Sequence, residues 1–374
     1  MSAALEWAAA ARDAVEASLS EAGALMFRGF PIDAAEDFAS FVEALAYPNF
    51  SYDGAGGNAV RRNVVGDRVF TANESPPERR IPFHHELAQS PRFPHRVLFF
   101  CDVPAASGGA TPILDSHEVY AKLKRDVPDF MEALEAKGVR YTRVMTAEDR
   151  PESAVGRGWR GTFGAETPEA LMSALNGTGQ RLEWLPSDHP GVSPGLNHPV
   201  RHFSAILPAV RVDDADPRAR PRFFNQILAA YAGWRDELNP AGKSVVFGDG
   251  TEMPVEAFEA MERIFEEEAV AVPWQHGDVM LINNLQVMHA REAFVNAPNK
   301  PRRVLASLAG DPRAGGRKGG NGERRAGRQR RMEARAVRSA GARSQARGGA
   351  ASRSRWAVSG GMRIAARAAA ALRA

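Results

Sequence analysis

The sequence predicts a mostly β domain with flanking helices, followed by a separate basic segment. Two patterns predict the domain. From about Val64 onward, short apolar runs alternate with Gly, Pro, Asn and Asp: VVGDRVFTAN, HRVLFFCDV, GVRYTRVM, AVAVPW, DVMLINN and RRVLASLAG. Runs of that length and punctuation read as strands joined by turns. Around them, apolar residues recur at helical spacing near the N-terminus and in two later stretches. A charge count then sets the boundary. The chain carries 48 Lys+Arg against 45 Asp+Glu, a net of +3. Residues 311–374 hold 17 of those bases and 3 of those acids, a net of +14, which leaves residues 1–310 with 31 bases, 42 acids and a net of −11. The whole-chain charge is therefore an average over two unlike polypeptides, and a basic nucleic-acid-binding enzyme does not follow from it.

Each element follows in order. Residues 4–19 are Ala-rich with helical apolar spacing, and residues 22–30 (AGALMFRGF) read as a buried strand. Asp33 is placed to cap the next helix, on which Phe38, Phe41, Val42 and Leu45 form one stripe. A helix is expected over 221–232, with Phe223, Ile227, Leu228 and Tyr231 on one face. Another starts near Pro254 and presents Phe258, Met261 and Phe265. No internal repeat is visible. A 44% apolar content and 19 Phe suffice for a sizeable core. Cys101 is the single cysteine, so no internal disulfide or Cys-built metal site is possible. The N-terminal stretch lacks the basic start of a secretory signal, and no run is apolar enough to span a membrane, so a cytoplasmic protein is expected.

The segment 311–374 has seven large apolar residues among 64, the rest being mostly Arg, Ala, Gly and Ser. Such a composition cannot bury enough surface to offset ordering entropy, so a disordered tail is expected. It also has the texture of GC-rich DNA translated out of frame, which raises a frameshift near residues 309–315.

Three elements carry chemistry. In IPFHHELAQ, a strand puts His84 and Glu86 on one face with His85 opposite. One imidazole and one carboxylate are two-thirds of the facial triad used for non-haem Fe(II), although a strand with incidental polar residues has the same look. In WQHGDVMLINNLQVMHAREAF, Gly277-Asp278 reads as a turn, residues 279–282 as a buried strand and Asn283-Asn284 as a second turn, after which comes His289. His289 lies 203 residues beyond Glu86, so only tertiary folding unites them. Arg303 follows 14 residues later, and a short hairpin would put it on a strand beside that of His289. An inward Arg needs an anionic partner, and a small dicarboxylate suits a guanidinium. In SGGATPILD, the Gly108-Gly109 turn leads to Thr111, whose hydroxyl can complete that carboxylate pocket.

These elements resemble the taurine dioxygenase family of Fe(II)/2-oxoglutarate oxygenases, in its clavaminate synthase-like branch. The family's His-x-Asp/Glu falls on His84 and Glu86, its distal His on His289, its 2-oxoglutarate Arg on Arg303 and its cosubstrate Thr on Thr111. Glu in place of the commoner Asp is as in clavaminate synthase. The GALMFRGF and WQHGDVMLINN strands also resemble the family, and the matches run in family order from about residue 20 to Ala309. The resemblance implies a double-stranded β-helix (jelly-roll) core over residues 1–310. It implies Fe(II) held by His84, Glu86 and His289, 2-oxoglutarate on Arg303 and Thr111, O₂ as co-substrate, and hydroxylation of a small amino-acid-like or carboxylate substrate with release of succinate and CO₂. Halogenases of the superfamily lack the carboxylate ligand, so Glu86 implies hydroxylation or a related oxidation such as desaturation. The second Arg that holds the sulfonate in taurine dioxygenase is replaced by Ser307, which makes taurine a poor fit. Arg302 is expected to face away as a surface charge, while Asn73, Gln89 and Asn225 are candidates to line the substrate mouth.

Two other readings compete. One is a non-catalytic jelly-roll binding module whose Arg-rich tail binds nucleic acid non-specifically. The other is a zinc hydrolase using the same three ligands, which gives Arg303 and Thr111 no role.

Overall fold

The computed structural model describes residues 1–72, 75–153, 155–186, 199–212 and 220–312. The expectations for Asn73 and for residues 313–374 fall outside that range. The fold is a mixed one of helices and antiparallel sheets, in which helices hold as much of the chain as strands.

A six-stranded antiparallel sheet runs in the order Ala24–Phe27, Val279–Asn283, Arg96–Val103, Arg303–Ala309, Val69–Thr71 and Asn63–Val65. Its outer face, carrying Leu98, Phe100, Leu281 and Leu305, packs on the N-terminal helices. There Phe38, Phe41, Val42 and Leu45 are all fully buried, as their spacing requires. Phe38 stacks on Phe100 with ring centroids 5.3 Å apart. Its inner face carries Phe99, Cys101, Ile282, Val304 and Ala306. Burial on both faces is why these strands read as continuous apolar runs with no alternation.

A three-stranded sheet sets Val287–Arg291 between Ile81–His84 and Ile113–Asp115. Val287 and Ile113 share one cluster with Phe99, Ile282 and Val304, so the two sheets face each other across a common interior. A four-stranded sheet, ordered Val245–Phe247, Val139–Met145, Val200–Phe203 and Arg181–Trp184, packs further out, with the helix Val255–Glu268 against its core cluster. No helix among the described residues is long and apolar enough to cross a membrane.

Several local expectations are corrected. The first helix is two, Ser2–Ala10 and Arg12–Ala22. The helix Ala35–Ala44 is not capped by Asp33. Instead the Asp37 carboxylate accepts the backbone N–H groups of Asp33 and Ala34 at 3.1 Å each. Pro221–Phe223 is a strand paired with Val210–Val212, so only the later part of 221–232 is helical. AVAVPW forms a single bridge between Val270 and Ile113 in place of a strand. Helices such as Ser116–Asp126 and Pro128–Lys137 add to the count and move the class from mostly β to mixed.

Replacing Phe100 by Ala removes the ring stacked on Phe38 in a fully buried layer. A loss of about 3–5 kcal/mol of stability is expected, measurable by urea denaturation.

Candidate metal centre

His84 is the last residue of its strand, and His289 sits opposite it in the antiparallel ladder. The two rings have centroids 4.4 Å apart, with Phe99 of the facing sheet 5.2 Å from His289. The His84 Nδ1 lies 2.8 Å from the Pro82 carbonyl, which makes Nδ1 the protonated nitrogen and leaves the Nε2 lone pair facing inward.

Glu86 reaches the same point by a route other than the expected strand pleat. The strand stops at His84, and residues 86–89 form a turn in which Leu87 adopts φ +58°. Asn284, in the turn before the His289 strand, fixes this segment. Its Oδ1 accepts the Glu86 N–H at 2.7 Å, and its Nδ2 donates to the carbonyls of Glu86 and Pro94 at 3.0 and 2.7 Å. The Glu86 Oε2 then lies 3.6 Å from His289 Nε2 and 4.0 Å from His84 Nε2. The donor atoms of all three residues lie within 4.8 Å of one another. His85 points away, buried against Phe224, with its Nδ1 2.6 Å from the Asn284 carbonyl.

Arg61 is a further member that the sequence pattern gives no reason to single out. Its guanidinium is almost wholly buried and donates from Nη2 to Glu86 Oε1 at 3.0 Å. It stacks on the rings of Tyr52 and Phe70 at 4.4 and 5.2 Å. Burial opposes ionisation of Glu86, but the charge of Arg61, with His289 and His84 beside it, outweighs burial and holds the carboxyl below its usual range. Burial, reinforced by His289, lowers His84 to about 4, so its ring is neutral at pH 7. The cluster therefore directs an ionised carboxylate and the neutral His84 ring at one point, with His289 Nε2 beside them.

Thr111 is buried, and its Oγ1 accepts from Trp274 Nε1 at 3.1 Å. The two arginines are exchanged relative to expectation. Arg303 does not adjoin the His289 strand; it lies in the six-stranded sheet, half exposed, paired with Asp102 at 2.7 Å on the outer side. Arg302 is the inward one. It shares the parity of Val304 and Ala306, lies over Phe294 at 5.0 Å and donates to the Gly109 carbonyl at 2.9 Å, two residues before Thr111. Burial lowers its pKa. The physical reason is plain alternation: Arg303 shares the parity of Leu305 on the outer face and Arg302 that of Val304 on the inner one, while the register shift falls on the neighbouring strand at Asp102. On a strand buried on both faces the sequence holds no signal for which parity is the inner one.

Of the proposed mouth residues, Asn225 is buried with both amide atoms engaged by backbone, Nδ2 on the Ala209 carbonyl and Oδ1 on the Ile227 N–H, so it supports the chain locally. Gln89 lies close to Glu86 in sequence, held by the Gly56 carbonyl at 3.0 Å and by Gln226 Nε2 at 2.7 Å.

Comparison with known proteins shows the family. Residues 2–308 match the model of the taurine catabolism dioxygenase TauD, TfdA family. The clavaminate synthase-like protein At3g21360 of Arabidopsis thaliana is 44% identical over 294 residues, spanning 79% of this chain and 83% of that protein. The dapdiamide synthesis protein DdaC of Enterobacter agglomerans is 26% identical over 284 residues, spanning 75% and 81%. Among solved structures, PvcB of Pseudomonas aeruginosa aligns at 14% identity with a TM-score of 0.45, covering 80% of this chain and 79% of that one. The chain belongs to the taurine catabolism dioxygenase TauD, TfdA family, and is a 2-oxoglutarate-dependent oxygenase requiring Fe(II) rather than a non-catalytic binding module.

Proposed function

We propose that His84, Glu86 and His289 are the Fe(II) ligands, that Arg302 with Thr111 takes the far carboxylate of 2-oxoglutarate, and that the enzyme hydroxylates an unactivated C–H of a small amino-acid-like or carboxylate substrate. The observation that carries this is the convergence of one carboxylate and two imidazoles within 4.8 Å, with no fourth ligating side chain in the group among the described residues. A metal with bonds of about 2.1 Å spans donors up to about 4 Å apart, so the 3.6 and 4.0 Å separations fit such an ion. Two nitrogens and one oxygen suit non-haem Fe(II) with three positions open. Bound there with 2-oxoglutarate, Fe(II) supplies O₂ activation and oxidative decarboxylation to succinate and CO₂.

The chain's own residues do the rest. Arg61 holds Oε1 of Glu86 and so presents Oε2 alone to the ion. Phe99, Ile282 and Val304 keep water from the interior. The guanidinium of Arg302 offers paired N–H groups to a carboxylate, and it is tied to Gly109, two residues before Thr111. Glu86 supports hydroxylation or a related oxidation such as desaturation over halogenation. Ser307 lies with Leu305 and Ala309 on the outer face, which counts against a sulfonate held there. The facing sheets support a double-stranded β-helix reading, and residues 1–310 are the unit proposed to act, with 311–374 as a separate segment.

Three outcomes are expected. Dialysis against EDTA abolishes succinate release from 2-oxoglutarate. Fe(II) restores it and Zn(II) does not, whereas restoration by Zn(II) would favour the hydrolase. Arg302→Leu raises the KM for 2-oxoglutarate by roughly 30- to 100-fold, the loss of about 2–3 kcal/mol of charge-assisted bonding, while Arg303→Leu stays within about twofold because an exposed ion pair contributes little. The opposite ranking returns the role to Arg303. Arg61→Met weakens Mn(II) binding by about 10- to 100-fold in an EPR titration, with the far-UV CD unchanged.

A further inference from the structure

The four-stranded sheet holds a second polar site that the metal centre does not use. Arg143 lies on Val139–Met145 and is only 4% exposed. Its Nη2 donates to Thr162 Oγ1 at 3.2 Å and lies 2.7 Å from Met145 Sδ, and its Nη1 has no acceptor among the described residues. Across the ladder sits His202, its Nε2 2.8 Å from Gln180 Oε1. Burial, with the charge of Arg143 adding to it, lowers His202 to about 3, so that ring is neutral and offers Arg143 no counter-charge.

Arg143, His202, Gln180, Thr162 and Gln89 line a cavity of about 190 Å³, and none of its described lining residues is acidic. His84, Glu86 and His289 are not among the lining residues; Gln89, which is, comes three positions after Glu86 on the same turn. The cavity is smaller than the roughly 300 Å³ at which drug-sized pockets begin, so it suits a small molecule.

A buried guanidinium with no carboxylate bonded to it, Asp236 and Asp149 acting only at longer range, is costly, and the cost falls when an anion completes it. A carboxylate is the natural complement, accepting from the free Nη1 while the second N–H of the Gln89 and Gln180 amides can satisfy its remaining lone pairs. We propose that this cavity binds the carboxylate end of the substrate, anchored by Arg143. The inference rests on the small-carboxylate reading above only in calling that ligand the substrate.

The test is calorimetric titration of butyrate and of butyramide, its neutral counterpart of the same shape, into the full chain saturated with Mn(II) and 2-oxoglutarate. Saturation fills the cosubstrate site, so the probes report what remains. Wild type binds butyrate at least tenfold more tightly than butyramide, and Arg143→Gln abolishes the difference. Arg143→Lys keeps a buried cation and the fold, and retains the preference weakened several-fold, because an ammonium lacks the planar fork. Equal or absent binding of both probes by wild type, or an unchanged preference in Arg143→Gln, overturns the proposal. Succinate release is a separate readout. Its absence with every small carboxylate sinks the small-carboxylate reading and leaves the butyrate preference standing, whereas normal turnover in Arg143→Gln sinks the anchor and leaves that reading standing.

Discussion

Everything at the metal centre depends on how the strand Val287–Arg291 lies between its two neighbours. His289 faces His84 on one side and Ile113 on the other. A slip of one residue would turn every side chain of that strand to the opposite face, taking His289 out of the interior. The turn that introduces the strand also carries Asn284, which clamps the backbone of Glu86. One hairpin therefore sets both the distal imidazole and the carboxylate, although 203 residues separate them.

The electrostatics of the interior run against those of the exterior. Residues 1–310 have a net charge of −11, yet buried arginines gather around the site. Arg61 and Arg157 both lie over the Tyr52 ring, at 4.4 and 4.7 Å. Arg157 is paired with Asp53, Arg61 with Glu86, and Arg143 with no carboxylate among the described residues. At physiological ionic strength, screening over about 8 Å hides the acidic surface from a ligand already inside, so the local guanidinium groups decide what binds there.

What could be read from the sequence was read from residues whose identity is the signal. The convergence of His84, Glu86 and His289 was legible because few residue types can hold a metal, and the apolar stripe of Phe38, Phe41 and Val42 because a helix imposes its period. Which of Arg302 and Arg303 turns inward was not legible because both faces of their strand are apolar, so alternation gives two parities and no sign of which is inner. Glu86 was found, but on the wrong local structure: strand and turn both leave it within reach of His84. Arg61 and Asn284 act through contacts with segments distant in sequence, and nothing in RRN or INN announces that. The extra helices Ser116–Asp126 and Pro128–Lys137 show that strand texture alone overstates the β content.

Cys101 lies on the inner face of the six-stranded sheet, fully buried, with burial pushing its thiol up to about 12. A thiol reagent attacks the thiolate, so the native chain presents almost none of the reactive form and no path to it. Labelling must then wait for the sheet to open. As the chain's single cysteine, Cys101 makes the rate of modification a clock for breathing of that sheet, with no other thiol to confuse the reading. Ligands that tighten the interior between the facing sheets would slow that clock, which gives a measure of their grip on the fold independent of any turnover.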